Sequence, residues 1–526
     1  MKKYTWLKLL ALAVLLMPLS QSCTDLDEEL FDTVTEENFF KTDEEFSSAL
    51  GAAYRSLSNY GGNGGIYSLQ EVTSDEVVVP TRGQDWNDGG HWRRLHTHDY
   101  NLEDPIINGG WSDLFSGVNA CNRLIFQFSG LDIDEKEKLA VVDELRTLRA
   151  LLYFWLLDTY GNVPIVTDFD VDPDFQPPNA SRADVYAFVE SELLETINGG
   201  NLNTAVDQST YGRATQWVAH MILANLYLNA EVYTGTPQWE QAAEQANEVI
   251  NSGQFSLAGN YFDNFDAENS GSPEFIMAIP YDEVFYQGFI LPMMTLHYAS
   301  QATFNLTAQP WNGFCTLEEF YNSYEDEDRR KGAPNSEEGP SGIRGNFLVG
   351  PQFSSGGERL TDGGAQDPDG PPLTFTAEIN ELGPQAYRQA GARIGKYEFE
   401  QGATQNLNND APIFRFAEAL MIRAEALWRM NPGSAEALEL VNRVRLREGW
   451  NDQIEPFTAL TEENLLAELG REFFSELKRR TQLIRFDKYN DAWWEKPTDP
   501  SDHVNIFPIP RPQLDANKSL VQNPGY

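Results

Sequence analysis

The apolar positions of the chain fall at helical spacing over several long stretches. In KEKLAVVDELRTLRALLYFWLLDTYGNVP, Leu139, Val142, Leu145, Leu148, Leu152, Trp155 and Leu156 recur every three or four residues. That spacing predicts one long amphipathic helix, ended by Gly161 and Pro164. Ser181-Arg182-Ala183-Asp184 opens the next helix, VYAFVESELLETI, as a capping box, and Asn198-Gly199-Gly200 closes it. GRATQWVAHMILANLYLNAEVY, a Thr-Gly-Thr-Pro turn and QWEQAAEQANEVINSG predict two antiparallel helices whose alanines allow close approach. IFRFAEALMIRAEALWRM, Asn431-Pro432-Gly433 and SAEALELVNRVRLREG repeat that unit. A further long helix is predicted from Thr461 through LLAELGREFFSELKRRTQLIRFDKY, with Glu462 and Glu463 at the favourable end of its dipole.

Helical hairpins with small contact residues resemble tetratricopeptide repeats, which stack into a solenoid. Here they are irregular and interrupted. The expected frame covers about 136–255 and 411–490, and loop-rich excursions fill 60–135 and 255–412. The stretch 321–412, rich in Gly, Pro and charge, reads as functional loops or disorder. EVVVP, EFIMAIP and NFLVG are short strand-like runs, too few for a large sheet. The expected fold class is mostly α.

The first residues change the setting. MKKYTWLK is a basic segment, followed by the apolar LLALAVLLMPLSQS and then Cys23. The apolar run is too short for a spanning helix, which needs about 20 residues, and reads as a signal peptide over 1–22. A cysteine directly after small residues reads as a lipoprotein processing site, so Cys23 is the expected lipid anchor and TDLDEEL a solvated tether. Removing residues 1–22 takes away three lysines and no acid, moving the formal charge from −42 to −45. Such a charge argues against nucleic acid and anionic lipid as partners, because both need cationic surface. A neutral partner such as a sugar is not repelled. Cys121 lies in a helical run and Cys315 in a loop, so two separate buried thiols are expected. No Cys/His ligand spacing indicates zinc.

TRGQDWNDGGHWRRLHTHDY, residues 81–100, follows neither a helical nor a strand period. Asp-Trp-Asn-Asp-Gly-Gly is turn chemistry, and indoles in a turn either pack beneath it or face a ligand. Sugars offer C–H faces that stack on aromatic rings and hydroxyls that bond to Asp, Asn and Arg. Trp86 is therefore the leading candidate platform, with Asp85, Asp75 and Arg82 as hydrogen-bonding partners. Trp92 is a second candidate ring, whose other reading is to fasten the loop to the frame. Trp311 and Asn312 in QPWNGFCTLEEFY form a further candidate, as do Tyr60 and Asn63 in NYGGNGGIY. Arg388 and Arg393 flank a glycine and are placed to reach hydroxyls. His91, His96 and His98 raise a metal question, but no nearby Cys supports it and the rings serve equally to hold the loop. No metal or cofactor is expected. Neither G-x-S-x-G nor G-x-x-x-x-G-K-[ST] occurs, so no catalytic residue is assigned. A glycoside hydrolase, needing only two carboxylates, is the weaker alternative.

In order along the chain, LRALLYFWLLDTYGNVPI, GRATQWVAHMILANLYLNAEVY, RFAEALMIRAEAL, LVNRVRLREG, LGREFFSELKRRTQLIRFDKY and NIFPIPRPQLDANKSLVQNPGY resemble the SusD/RagB family of Bacteroidetes surface lipoproteins. Leu469-Gly470-Arg471 departs from the Glu-Arg usual there, a change that touches fold rather than ligand. The resemblance implies a single domain over 23–526, with four tetratricopeptide-like hairpins packed against an irregular loop-rich half. It also implies oligosaccharide capture at the outer-membrane surface without catalysis, as lid of a SusC-like TonB-dependent transporter. Ligand contacts from the N-terminal loop region are implied as well. RagB-type members capture peptides, which remains the alternative ligand class.

Overall fold

The computed structural model describes residues 43–172, 174–363 and 370–526; the signal segment and Cys23 lie outside the described residues. Long helices form where the apolar period is 3.6. Glu135–Thr159 buries Leu145, Leu148, Leu152 and Leu156, and Asp134 caps its first turn by accepting from the Lys136 and Glu137 amides. Ser181 and Asp184 close their capping box in both directions at the start of Arg182–Gly199. Gln216–Leu228 is apolar nearly all round and is buried accordingly. Trp239–Asn251, with Ala242, Ala243 and Ala246 buried, packs against it on one side and against Phe416–Met430 on the other. Ala435–Leu446 continues the array from Phe416–Met430. Residues 252–415 thus leave the helical array and return to it, and the fold is mostly α.

Two expectations about the elements are corrected. The excursion 60–135 contains the 25-residue helix Pro105–Ser129, which packs on Glu135–Thr159 as part of the frame. Its glycines masked the helical period, and they serve close approach: a Cβ on Gly109 would lie 2.1 Å from the Gly64 carbonyl oxygen. The long C-terminal helix is in fact two, Glu462–Phe473 and Arg479–Arg485. Ser475 and Leu477 between them adopt φ of 59° and 60°. Buried groups take the freed backbone: Lys396 donates to the Phe474 carbonyl at 2.7 Å, and Glu76 and Glu71 accept from the Ser475 and Leu477 amides. A break specified by partners about 400 residues away leaves no local signal.

The three strand-like runs pair as two-stranded antiparallel ladders. Val77–Val78 lies against Cys315–Thr316, Phe275–Ile279 against Ala411–Arg415, and Phe347–Leu348 against Arg393–Ile394. Cys121 and Cys315 are separate buried thiols. Among the described residues, no helix is long and apolar enough to cross a membrane.

A buried ionic network fastens the strand Ala411–Arg415 to the helix break. Arg415 donates to Glu472 and Glu476 at 2.7 Å and to Glu274 at 3.2 Å, while Arg447 bridges Glu274 and Glu472. Burial alone would raise the Glu274 carboxyl, but Arg447 and Arg415 outweigh it and hold it down at about 2. At Glu71 burial outweighs the Leu477 amide and the Lys396 charge and pushes the carboxyl up to about 7. The signs differ. The proton that Glu71 keeps in the fold stabilises fully below about pH 4.5, and that contribution is lost as pH rises through about 7. Glu274 stabilises above about pH 4.5 and loses its contribution as pH falls through about 2. Glu71→Gln is therefore expected to lose less stability than wild type between pH 5 and 8, by roughly 2–3 kcal/mol. Denaturant unfolding of both proteins at the two pH values checks this.

Candidate functional site

The segment 81–92 folds as a tight turn and a short helix. Arg82 and Asp85 exchange backbone hydrogen bonds across the turn at 3.1 and 3.2 Å. Trp86 follows with φ of 59°, left-handed for a bulky residue, a conformation costing on the order of 1–3 kcal/mol unless the surroundings fix it. They do fix it. The Trp86 indole N–H donates to the Trp311 carbonyl at 2.7 Å, and its ring meets Phe314 and Trp92 edge-on at 5.4 and 5.3 Å. Gly313 provides the bed for that ring, because a Cβ there would lie 2.3 Å from it. Gly313→Ala is accordingly expected to displace Trp86 and lower stability by about 1–3 kcal/mol, read by thermal unfolding.

Trp86 is consequently only 9% exposed, whereas Trp311 is 37% exposed. The two indoles form adjacent walls of an open depression of about 530 Å³, completed by Asn63, Asp85, Asp88 and Tyr298. The Tyr298 hydroxyl donates to Asp85. Burial, then the Asp85 carboxylate, push the Tyr298 phenol up, so it remains a protonated donor. The depression thus joins an accessible indole face, a carboxylate, a phenol and an amide. Tyr298 lies in LHYASQ, whose spacing gives no hint of a partner 213 residues earlier.

The structure brings Asp85, Trp86, Trp311 and Asn63 together and sends the other candidates elsewhere. Arg82 is corrected to an internal clamp: it is 3% exposed and donates to the carbonyls of Asn312, Gly313 and Ala390 at 2.7–2.9 Å. Asn312 and Arg393, both fully buried, bond to each other at 2.8 Å, and Arg393 also takes the carbonyls of Arg388, Ala390 and Gly391. These groups fasten three chain segments to one another. Arg388 pairs with Asp362 at 2.9 Å, and the same carboxylate is hydrogen-bonded to His297 at 2.9 Å. Tyr60 packs in the core against Trp155 and is 5% exposed. Asp75 points to a different depression, held by Arg479 at 2.6 Å. Trp92 is 2% exposed and donates to Asp88 at 2.8 Å, so it fastens the loop.

The histidines are committed to packing. His91 lies against Trp92 at 4.6 Å. His96 contacts the Trp494 carbonyl at 2.7 Å, and His98 bonds to Asp499 at 2.7 Å while stacking on Tyr489. Burial pushes both His96 and His98 down to about 4. Among the described residues no cluster of three or more His, Cys, Asp or Glu side chains is placed to hold a metal ion.

By fold and site this is a helical array carrying a loop-built, open aromatic depression. A model described as the SusD family matches residues 273–526. The starch-binding protein SusD of Bacteroides thetaiotaomicron is 27% identical over 447 residues, covering 78% of this chain and 76% of its own. SusD-like protein P2 of Formosa agariphila is 24% identical and aligned over 100% of both chains. Surface glycan-binding protein A from Bacteroides thetaiotaomicron, solved in complex with laminarihexaose, shares the fold with a TM-score of 0.71 at 23% identity, covering 91% of this chain and 99% of that one. The chain is thus similar to the SusD family model over its C-terminal part, residues 273–526, and to SusD and SusD-like proteins over most of its length.

Proposed function

We propose that the protein captures glycan chains at the cell surface in the depression formed by Trp311, Trp86, Asp85, Tyr298 and Asn63. The observation that carries this reading is the exposed Trp311 face beside fixed polar groups. A sugar ring stacks on an indole through its C–H face, and neighbouring acceptors and donors fix its hydroxyls. The site is shallow and open, suited to a mid-chain segment of a polymer. Relatives named as starch-binding and glycan-binding proteins support the same reading. In this account residues 23–526 form the mature chain, Cys23 carries the lipid, and the bound glycan is passed to a SusC-like TonB-dependent transporter over which the protein closes as a lid. No step of bond cleavage is assigned to it. Affinity electrophoresis of the purified protein through gels containing single polysaccharides tests the reading. Retardation by at least one glycan, without release of reducing ends on incubation, is the expected result. Retardation by none, or release of reducing ends, would overturn it.

A further inference from the structure

A second open depression, of about 510 Å³, shares no lining residue with the first. Trp494, Phe320, Asp75, Arg479, Glu319 and Ser323 are among the residues around it. Trp494 is presented by a tight turn in which Trp493 and Lys496 exchange backbone hydrogen bonds at 3.2 and 2.9 Å. Its carbonyl is pinned by His96, and its ring is half-buried, touched by the His96 ring at 6.0 Å. Trp493 also lines the depression, with the Lys496 ammonium 4.0 Å from its ring centre.

The charged pair at this depression is equally fixed. Arg479 holds both Asp75 oxygens, at 2.6 and 2.8 Å, and donates to the Leu466 carbonyl at 2.9 Å. Gly470 makes room for it, since a Cβ there would lie 2.8 Å from the guanidinium. The Asp75 side chain nevertheless remains 28% exposed. A carboxylate has about four acceptor positions, so those not used by Arg479 are oriented in advance to accept hydroxyl hydrogens. An accessible indole beside a preset bidentate acceptor is the same chemistry as in the first depression.

The two depressions are also mechanically continuous. Trp311 lines one and Leu317 the other, and the chain between them is pinned by the Cys315–Thr316 ladder with Val77–Val78. Six residues span at most roughly 22 Å. The helix His91–Thr97 joins them too, through Trp92 against Trp86 and His96 against Trp494.

We infer that this second depression is a further saccharide-binding site, where Trp494 provides the stacking face and the Asp75–Arg479 pair takes ring hydroxyls, so that one glycan chain is held at two points. The inference rests on the glycan-capture reading above. Two linked weak contacts raise affinity for a ligand that reaches both, and leave a short ligand unaffected.

Titration calorimetry with polymer and trisaccharide forms of α-glucan, β-glucan, xylan and mannan separates the possibilities. For the glycan that binds, Trp494→Ala is expected to weaken the polymer tenfold or more while leaving the trisaccharide, too short to span both depressions, within twofold. Trp494→Phe, which retains an aromatic face, is expected to keep most of the polymer affinity, and unchanged thermal unfolding of both variants excludes a folding defect. Trp311→Ala is expected to weaken both ligand lengths. If Trp311→Ala weakens both and Trp494→Ala neither, the second site is overturned and the first stands. If no form of any glycan binds wild type, both are overturned.

Discussion

Trp311→Ala is expected to weaken glycan binding by about 30-fold, the loss of a hot-spot aromatic worth about 2 kcal/mol, with little change in thermal stability. The two effects separate because of what Trp311 contributes to each. Its ring is 37% exposed and lines the depression, whereas its structural role is carried by the backbone: the carbonyl accepts from Trp86 and the amide donates to Met293. Alanine keeps both backbone groups. Trp86→Ala is the informative contrast. It removes a ring packed against Phe314, Trp92 and Gly313. The cavity left behind is expected to lower stability by about 3–5 kcal/mol, with binding lost through collapse of the wall. Comparing melting temperature and dissociation constant for the two variants distinguishes a ligand platform from a supporting ring.

The second large effect is expected from Arg415→Met. Arg415 is 1% exposed and satisfies Glu274, Glu472 and Glu476 together. Removing one member of a buried ionic network leaves uncompensated carboxylates, at a cost of about 3–5 kcal/mol. Arg447 and Lys396 remain on Glu274, Glu472 and Glu476, which keeps the loss within that range. The variant is expected to unfold at much lower urea concentration with an unchanged m-value. A loss below 1 kcal/mol would show that the network is not what fastens Ala411–Arg415 to the helix break.

Much of the frame is legible in local pattern. The Ser181 capping box, the 3.6 period of Glu135–Thr159 and the strand-like EFIMAIP each act through neighbours in sequence, and each forms as its spacing implies. The breaks and glycine-rich helices are less legible. Gly109 and Gly110 dilute the apolar period of Pro105–Ser129 because they serve contacts with Gly64 and Tyr160. Ser475 and Leu477 turn left-handed because buried Glu76 and Glu71 bond to residues of that break.

The site follows the same division. Sequence composition marks 75–92 and 311–312 as chemically suitable, since indoles and planar polar groups cluster there. It does not say which side chains turn outward. Arg82 and Arg393 turn inward because carbonyls of distant segments need donors, and Asp75 turns to Arg479, a partner 404 residues on. Tyr298 enters the site through its hydrogen bond to Asp85. Which indole is accessible depends on the Gly313 bed beneath Trp86, a contact across 227 residues. Trp311, not Trp86, therefore offers the open face.

The central claim is that the Trp311 depression binds sugar. Titration calorimetry of the purified protein against a panel of soluble polysaccharides and of mixed-sequence peptides tests it most directly. Saturable heat with at least one polysaccharide, weakened about 30-fold in Trp311→Ala and absent with every peptide, is the expected result. Saturable heat with peptide and none with any polysaccharide would contradict it.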